Sequence, residues 1–113
     1  MSSAADSIDG LLGIVNDAVQ GSDFTGAKAA AGDIIATAQT ARSWLQSHSP
    51  KACYGAVQDS AMATLGDLIA AAGDIAEHAD AADGNAIHKD VANSHGEVSA
   101  LRRDGNKAVS FCA

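Results

Sequence analysis

Apolar residues recur three and four positions apart along most of the chain, the spacing that gathers them on one face of an α-helix. No segment alternates apolar with polar residues as a half-buried strand would. The β-branched pairs Ile14-Val15 and Ile34-Ile35 fall inside helical spacing. The pattern therefore predicts an all-α chain, and the breaks in it divide the chain into four helices.

The first helix is expected from about Ser3 to Gln20, with Ile8, Leu11, Leu12, Val15, Ala18 and Val19 on its apolar face. Asp6 and Asp9 fall near its start, where they complement the positive end of the helix dipole. Gly21-Ser22-Asp23 supplies a helix-stopping glycine followed by two good N-cap residues. The second helix is expected from Phe24 to His48, with Ala27, Ala31, Ile34, Ala38, Ala41, Leu45 and His48 as its seam. Ser49-Pro50 restarts the chain, because serine caps a helix and proline is tolerated at its first position. The third helix then carries Cys53, Val57, Ala61, Leu65, Leu68, Ala72, Ile75 and Ala79, ending near Asp80 to Asp83. Gly84 and Asn85 are expected to form the next turn. The fourth helix follows with Ile87, Val91, Ser94, Val98, Leu101, Gly105, Ala108 and Cys112. Four helices joined by short connections imply an antiparallel up-down-up-down four-helix bundle with a short first helix. At 113 residues the chain is one domain's worth.

Composition narrows the picture. The chain is 47% hydrophobic but only 4% aromatic, so small side chains fill the core. A formal net charge of -7 argues against nucleic acid or an anionic membrane surface as partner, and no apolar run is long enough for a membrane span. A monomer is expected. Gly32-Asp33-Ile34-Ile35-Ala36 resembles Gly66-Asp67-Leu68-Ile69-Ala70, but the match aligns the second helix with the third, so a tandem duplication of hairpins would not produce it. Shared helical composition accounts for it.

The two cysteines add chemistry. An antiparallel hairpin of the third and fourth helices, turning between Ala82 and Asp83, sets Cys53 opposite Cys112. Both lie on apolar stripes, and Ala56, Gly105 and Ala108 allow the close backbone approach that a disulfide requires. A Cys53–Cys112 bridge is therefore expected to staple the third and fourth helices, contributing roughly 4 kcal/mol by the chain-entropy estimate. Disulfides persist mainly outside the reducing cytosol, so the bridge implies a secreted, periplasmic or lipid-anchored protein whose leader is missing from this sequence. The start Met-Ser-Ser-Ala-Ala-Asp itself has no signal-peptide pattern.

Helix lengths locate a candidate site. The short first helix covers the second only to about residue 40, so Arg42, Trp44, Leu45 and His48 overhang. Tyr54 and Phe111 belong to the same end, with Arg103 and Lys107 nearby. A cleft for a small molecule or a protein partner is expected there, the aromatics giving contact area and Arg42, His48 and Tyr54 giving polar handles. The competing reading is a hydrophobic plug sealing an alanine-rich bundle.

His48 and Tyr54 are residue types that ligate haem, but no haem motif accompanies them, and no cofactor is expected. At the opposite end Glu77, His78, Asp80, Asp83 and His88 cluster, with Glu77 facing His88 and His95 one heptad beyond. Their spacing matches no metal signature, so an exposed, solvated hairpin is expected in place of a metal site. No Gly-x-Ser-x-Gly elbow and no spacing specific to a triad occur, and an enzyme is not expected. The glycines at 10, 13, 32, 55, 66, 73, 96 and 105 fall inside helices, where close helix approach is the expected role.

In length, acidity, Ala/Gly richness and a tryptophan near its midpoint the chain resembles the small type VII-secreted helical-hairpin proteins. That resemblance implies a structural or export-linked interaction protein without a ligand pocket. It rests on Trp44, and Trp44-Leu45-Gln46 departs from the Trp-x-Gly turn of that family. The turn at Gly21 and the paired cysteines depart from it as well.

Overall fold

The computed structural model describes residues 2–47 and 55–112, with side chains at 3–47 and 55–107. Four α-helices account for nearly all of them: α1 (Ser2–Gln20), α2 (Phe24–Ser47), α3 (Gly55–Asp80) and α4 (Gly84–Cys112). Each helix packs on its two neighbours in a ring, α1 on α2 and α4, α3 on α2 and α4. Neither diagonal pair approaches among the described residues. With short α1–α2 and α3–α4 turns, this is the antiparallel bundle that the periodicity predicts. It is one helix long, 47 × 21 × 17 Å.

The two described turns are built alike. In the first, Ser22 adopts a left-handed φ of 58°, and in the second Ala82 adopts 52°. Both close the preceding helix with paired backbone bonds: Ser22 N–H to Val19 O and Asp23 N–H to Ala18 O, then Ala82 N–H to Ala79 O and Asp83 N–H to His78 O. An aspartate caps the helix that follows. Asp23 accepts from Gly26 N–H at 2.9 Å, and Asp83 from Ala86 N–H at 3.1 Å, each satisfying a donor that the first helical turn leaves without a partner. The second turn thus lies at Ala81 to Asp83, ahead of the expected Gly84-Asn85, because Asp83 is the better N-cap and α4 starts directly after it. Equivalent residues of the two hairpins are 60 apart (23 to 83, 42 to 102), which is a different register from the similarity of residues 32–36 with 66–70.

This equivalence explains how an alanine-rich chain fills its interior. Under the pseudo-twofold relation that exchanges the hairpins, Ala5 corresponds to Leu65, Leu12 to Ala72, Ala27 to Ile87, Ala31 to Val91, Ala38 to Val98 and Ala41 to Leu101, all buried. At these six levels a small side chain on one hairpin is matched by a larger one on the other, while Ile8 with Leu68 and Val15 with Ile75 are large on both. Where α2 carries Ile34, α4 carries Ser94, its hydroxyl donating to the Asp90 carbonyl at 2.8 Å. Where one hairpin buries alanine, the other supplies the volume that a close-packed interior requires. This places most of the bulk on α4 and α3 and leaves α2 a nearly smooth, alanine-lined rod.

The glycines behave differently from expectation. A Cβ built at Gly10, Gly13, Gly32, Gly55, Gly73 or Gly96 would meet nothing within 4 Å, so these positions do not mediate close helix approach. Space is short at the turns instead. At Gly84 a Cβ would lie 3.3 Å from Val19 Cγ1, and at Gly26 it would collide with the Asp23 carboxylate that caps α2.

Candidate functional site

The α1–α2 hairpin builds a cleft at the end where α2 outruns α1. Antiparallel pairing about Gly21-Ser22 brings the start of α1 opposite the last third of α2, and Trp44 stands beside Ser3, Ala4 and Ser7. With Ala36, Thr37, Thr40 and Ala41 these residues line an open cleft of about 530 Å³. The spacing 3, 7 on α1 and 37, 40, 44 on α2 is one residue per turn, so each helix presents a continuous strip to the groove. Among the described residues its walls are methyls and hydroxyls with one indole, and none of these lining residues is charged. Thr37 Oγ1 donates to the Asp33 carbonyl at 2.8 Å. The Trp44 carbonyl accepts from Ser47 Oγ at 3.0 Å, which satisfies one of the carbonyls that a helix end leaves over.

Trp44 is 56% exposed, a large apolar surface for a side chain fixed on a helix. Ile14, 54% exposed, lies two turns further along the same strip of α1 as Ser3 and Ser7. These two are the exposed large hydrophobic side chains among the described residues. The hydrophobic plug expected as the competing reading would bury Trp44, and the structure does not do so.

Arg42 is separated from Trp44. It turns toward α3, lining a smaller cleft of about 340 Å³ with Gln39, Ser43 and Gln46. Gln58 of α3 donates to the Leu45 carbonyl at 2.9 Å, fastening the start of α3 to the end of α2. The two expected site residues that the structure describes therefore serve different clefts: successive positions of a helix diverge by about 100°, so residues two apart point to different neighbours. His48, Tyr54 and Cys53 lie outside the described residues, as do the side chains of Phe111 and Cys112. The hydroxyl-bearing residues 3, 7, 37 and 40 were not expected at the site. Their signal was present in the one-turn spacing of Ser and Thr on two facing helices, which reads equally as an ordinary solvated face.

The opposite end of the bundle and its α4 flanks hold the titratable pairs. His78 Nδ1 lies 2.6 Å from Asp90 Oδ2. This hydrogen bond, with the charges of Asp90, Asp83 and Asp74, lifts the imidazole above its ordinary 6.5 against a smaller opposing effect of desolvation. His95 Nδ1 lies 3.1 Å from Asp9 Oδ1. Arg102 reaches Asp6 at 2.8 Å and Asp9 at 3.5 Å; α1 starts at Ser2 with no acidic residue in its first turn, so these carboxylates, expected to serve the helix dipole, instead fasten α1 to α4. Lys28 and Asp80 form an exposed pair at 2.9 Å between α2 and α3. Glu97 is raised above 4.5, first by partial burial and then by the charge of Asp67 and a hydrogen bond to it. Asp104 is buried and accepts from Ser60 Oγ at 2.9 Å.

The expected pairing of Glu77 with His88 does not form. Both are exposed, and the partner that α3 presents to α4 at that level is His78, bound to Asp90. Among the described residues no group of three or more His, Cys, Asp or Glu side chains is placed to hold a metal ion, and no helix is long and apolar enough to cross a membrane.

No protein-family model matches the chain, and neither a curated protein nor a solved structure matches it.

Proposed function

We propose that the protein is a binding module, working outside the reducing cytosol, that holds an uncharged ligand in the Trp44 cleft between α1 and α2. One observation carries the reading: Trp44 stays 56% exposed at the wall of a cleft of about 530 Å³ made of Ser, Thr and Ala side chains. An indole face beside hydroxyls suits a molecule with one apolar face and a hydrogen-bonding edge. The uncharged walls favour a neutral ligand, because they offer an ion nothing that replaces its hydration.

Trp44 is the only tryptophan in the chain, so its emission reports this site alone. Titration with a panel of neutral mono- and disaccharides and short alkyl glucosides is expected to shift that emission saturably for at least one class. Ser7→Leu, which fills the cleft, is expected to remove the response while the helical circular dichroism is kept. Emission that no member of the panel changes would count against the cleft and favour a structural or export-linked interaction protein.

The compartment rests on the Cys53–Cys112 bridge. What supports it is the α3–α4 register among the described residues, in which Ser60 stands opposite Asp104 and His78 opposite Asp90, close to the facing that the sequence predicts for an antiparallel hairpin. Thiol titration of the unfolded protein, isolated from an oxidising compartment, is expected to find no free thiol, and two would overturn this part of the proposal.

A further inference from the structure

We infer that Arg42 is a receptor for a carboxylate supplied from outside the chain. The inference is independent of the Trp44 cleft, since Arg42 faces α3 and lines its own cleft.

The two hairpins make the argument. Arg42 of α2 and Arg102 of α4 are equivalent positions. Arg102 reaches to its neighbour α1 and is held by Asp6 at 2.8 Å. Arg42 reaches in the same sense to α3, where the position equivalent to Asp6 is Gly66. Its Nη1 lies 3.9 Å from where a Gly66 Cβ would stand. The guanidinium is therefore aimed where a carboxylate would be rooted, and the side chain is missing. Among the described residues no ion pair involves Arg42. Its Nε is also the one buried side-chain nitrogen or oxygen there without a hydrogen-bond partner. A buried donor left unpaired is costly, and native structures keep few of them.

The surroundings select the ligand. Gln39, Ser43 and Gln46 add neutral donors and acceptors around a single cation, which matches one negative charge better than the two of a phosphate monoester. The chain's net charge of -7 disfavours a multiply charged anion further. A carboxylate also suits a guanidinium, as Asp6, bonded to one nitrogen of Arg102, shows at the equivalent site. It comes either as a free monocarboxylate or as an acidic side chain of a bound polypeptide.

The test follows the arginine Nε–Hε signals of the ¹⁵N-labelled full chain. Sodium propionate and the peptide acetyl-Gly-Glu-Gly-amide are titrated separately, each against sodium chloride at equal ionic strength. The Arg42 signal is expected to shift saturably while that of Arg102, already paired, stays in place. Response to propionate assigns a free carboxylate, and response to the peptide alone assigns an acidic side chain. An Arg42 signal that follows neither, or follows chloride equally, overturns the inference. Arg42→Gln is expected to weaken the backbone shifts around Gln39 and Gln46 by about tenfold or more in affinity. Gly66→Asp tests the same point from within, because the site is open to a side chain. It is expected to move the Arg42 signal without added ligand, abolish the propionate or peptide response and raise Tm by about 4 °C over Gly66→Asn. A Gly66→Asp protein whose Arg42 still responds as the wild type does would contradict the proposal.

Discussion

The α1–α2 and α3–α4 hairpins share one backbone plan and use it differently. Both end their first helix with a left-handed residue and begin the second under an aspartate cap, and most of their buried positions coincide. Yet α2 buries mostly alanine while α4 buries isoleucine, valine and leucine. The first hairpin presents Trp44, Ile14 and a cleft without charge; the second carries the His78–Asp90 and Asp67–Glu97 contacts. One hairpin supplies bulk and charge, and the other supplies a surface. The division shows how a small bundle frees one face for binding, since its mate fills the shared interior.

The largest expected difference lies in the core. Leu101→Ala, at a position with no exposure, should cost about 2–5 kcal/mol in denaturant unfolding. The equivalent truncation in the first hairpin, Ala41→Gly, should cost only about 1 kcal/mol, mainly in helix propensity. Equal costs would break the asymmetry. At the turns the hairpins should behave alike: Asp23→Ala and Asp83→Ala should each cost about 1 kcal/mol. A cap that matters on one side only would show that the two turns are not equivalent.

Smaller effects come from the glycines. Gly13→Ala and its mate Gly73→Ala meet open space and should each stabilise by about 0.5–1 kcal/mol in thermal unfolding. Gly84→Ala, pressed against Val19, should gain less or lose stability.

The smallest effects are pH-dependent and belong to the second hairpin. The folded state raises His78, so the stability it contributes is complete below 6.5 and is lost as pH rises through the folded value. His78→Gln should flatten that fall in Tm. Glu97 is also raised, so its ionised form is disfavoured in the fold at neutral pH. Glu97→Gln should therefore raise Tm at pH 7, with the gain vanishing below 4.5. A first-hairpin carboxylate, Asp17→Asn, serves as the comparison.

Much of this was legible in the residues. Spacing alone sets out four helices, the Asp23 cap and the buried stripe from Ala27 to Leu45, because burial on a helix follows its 3.6-residue period. The overhang of α2 beyond α1 follows from length. The sequence does not show the relation between hairpins: Asp23 and Asp83 match, but Ala41 and Leu101 do not, and complementary volumes erase the similarity that a repeat would display. Arg42 and Trp44 read as one site in the sequence until their different directions on α2 are placed against real neighbours. His78 displaces Glu77 for the same reason, a difference of one residue in facing.

The central claim is that the uncharged α1–α2 face does the binding and the α3–α4 hairpin supports it. Backbone amide and indole shifts of the ¹⁵N-labelled chain, recorded with the neutral glucoside that most changes Trp44 emission, test it directly. The account predicts shifts concentrated at Ser3, Ser7, Thr37, Thr40 and the Trp44 indole. Shifts centred on α3 and α4, or none at all at saturating ligand, would contradict it.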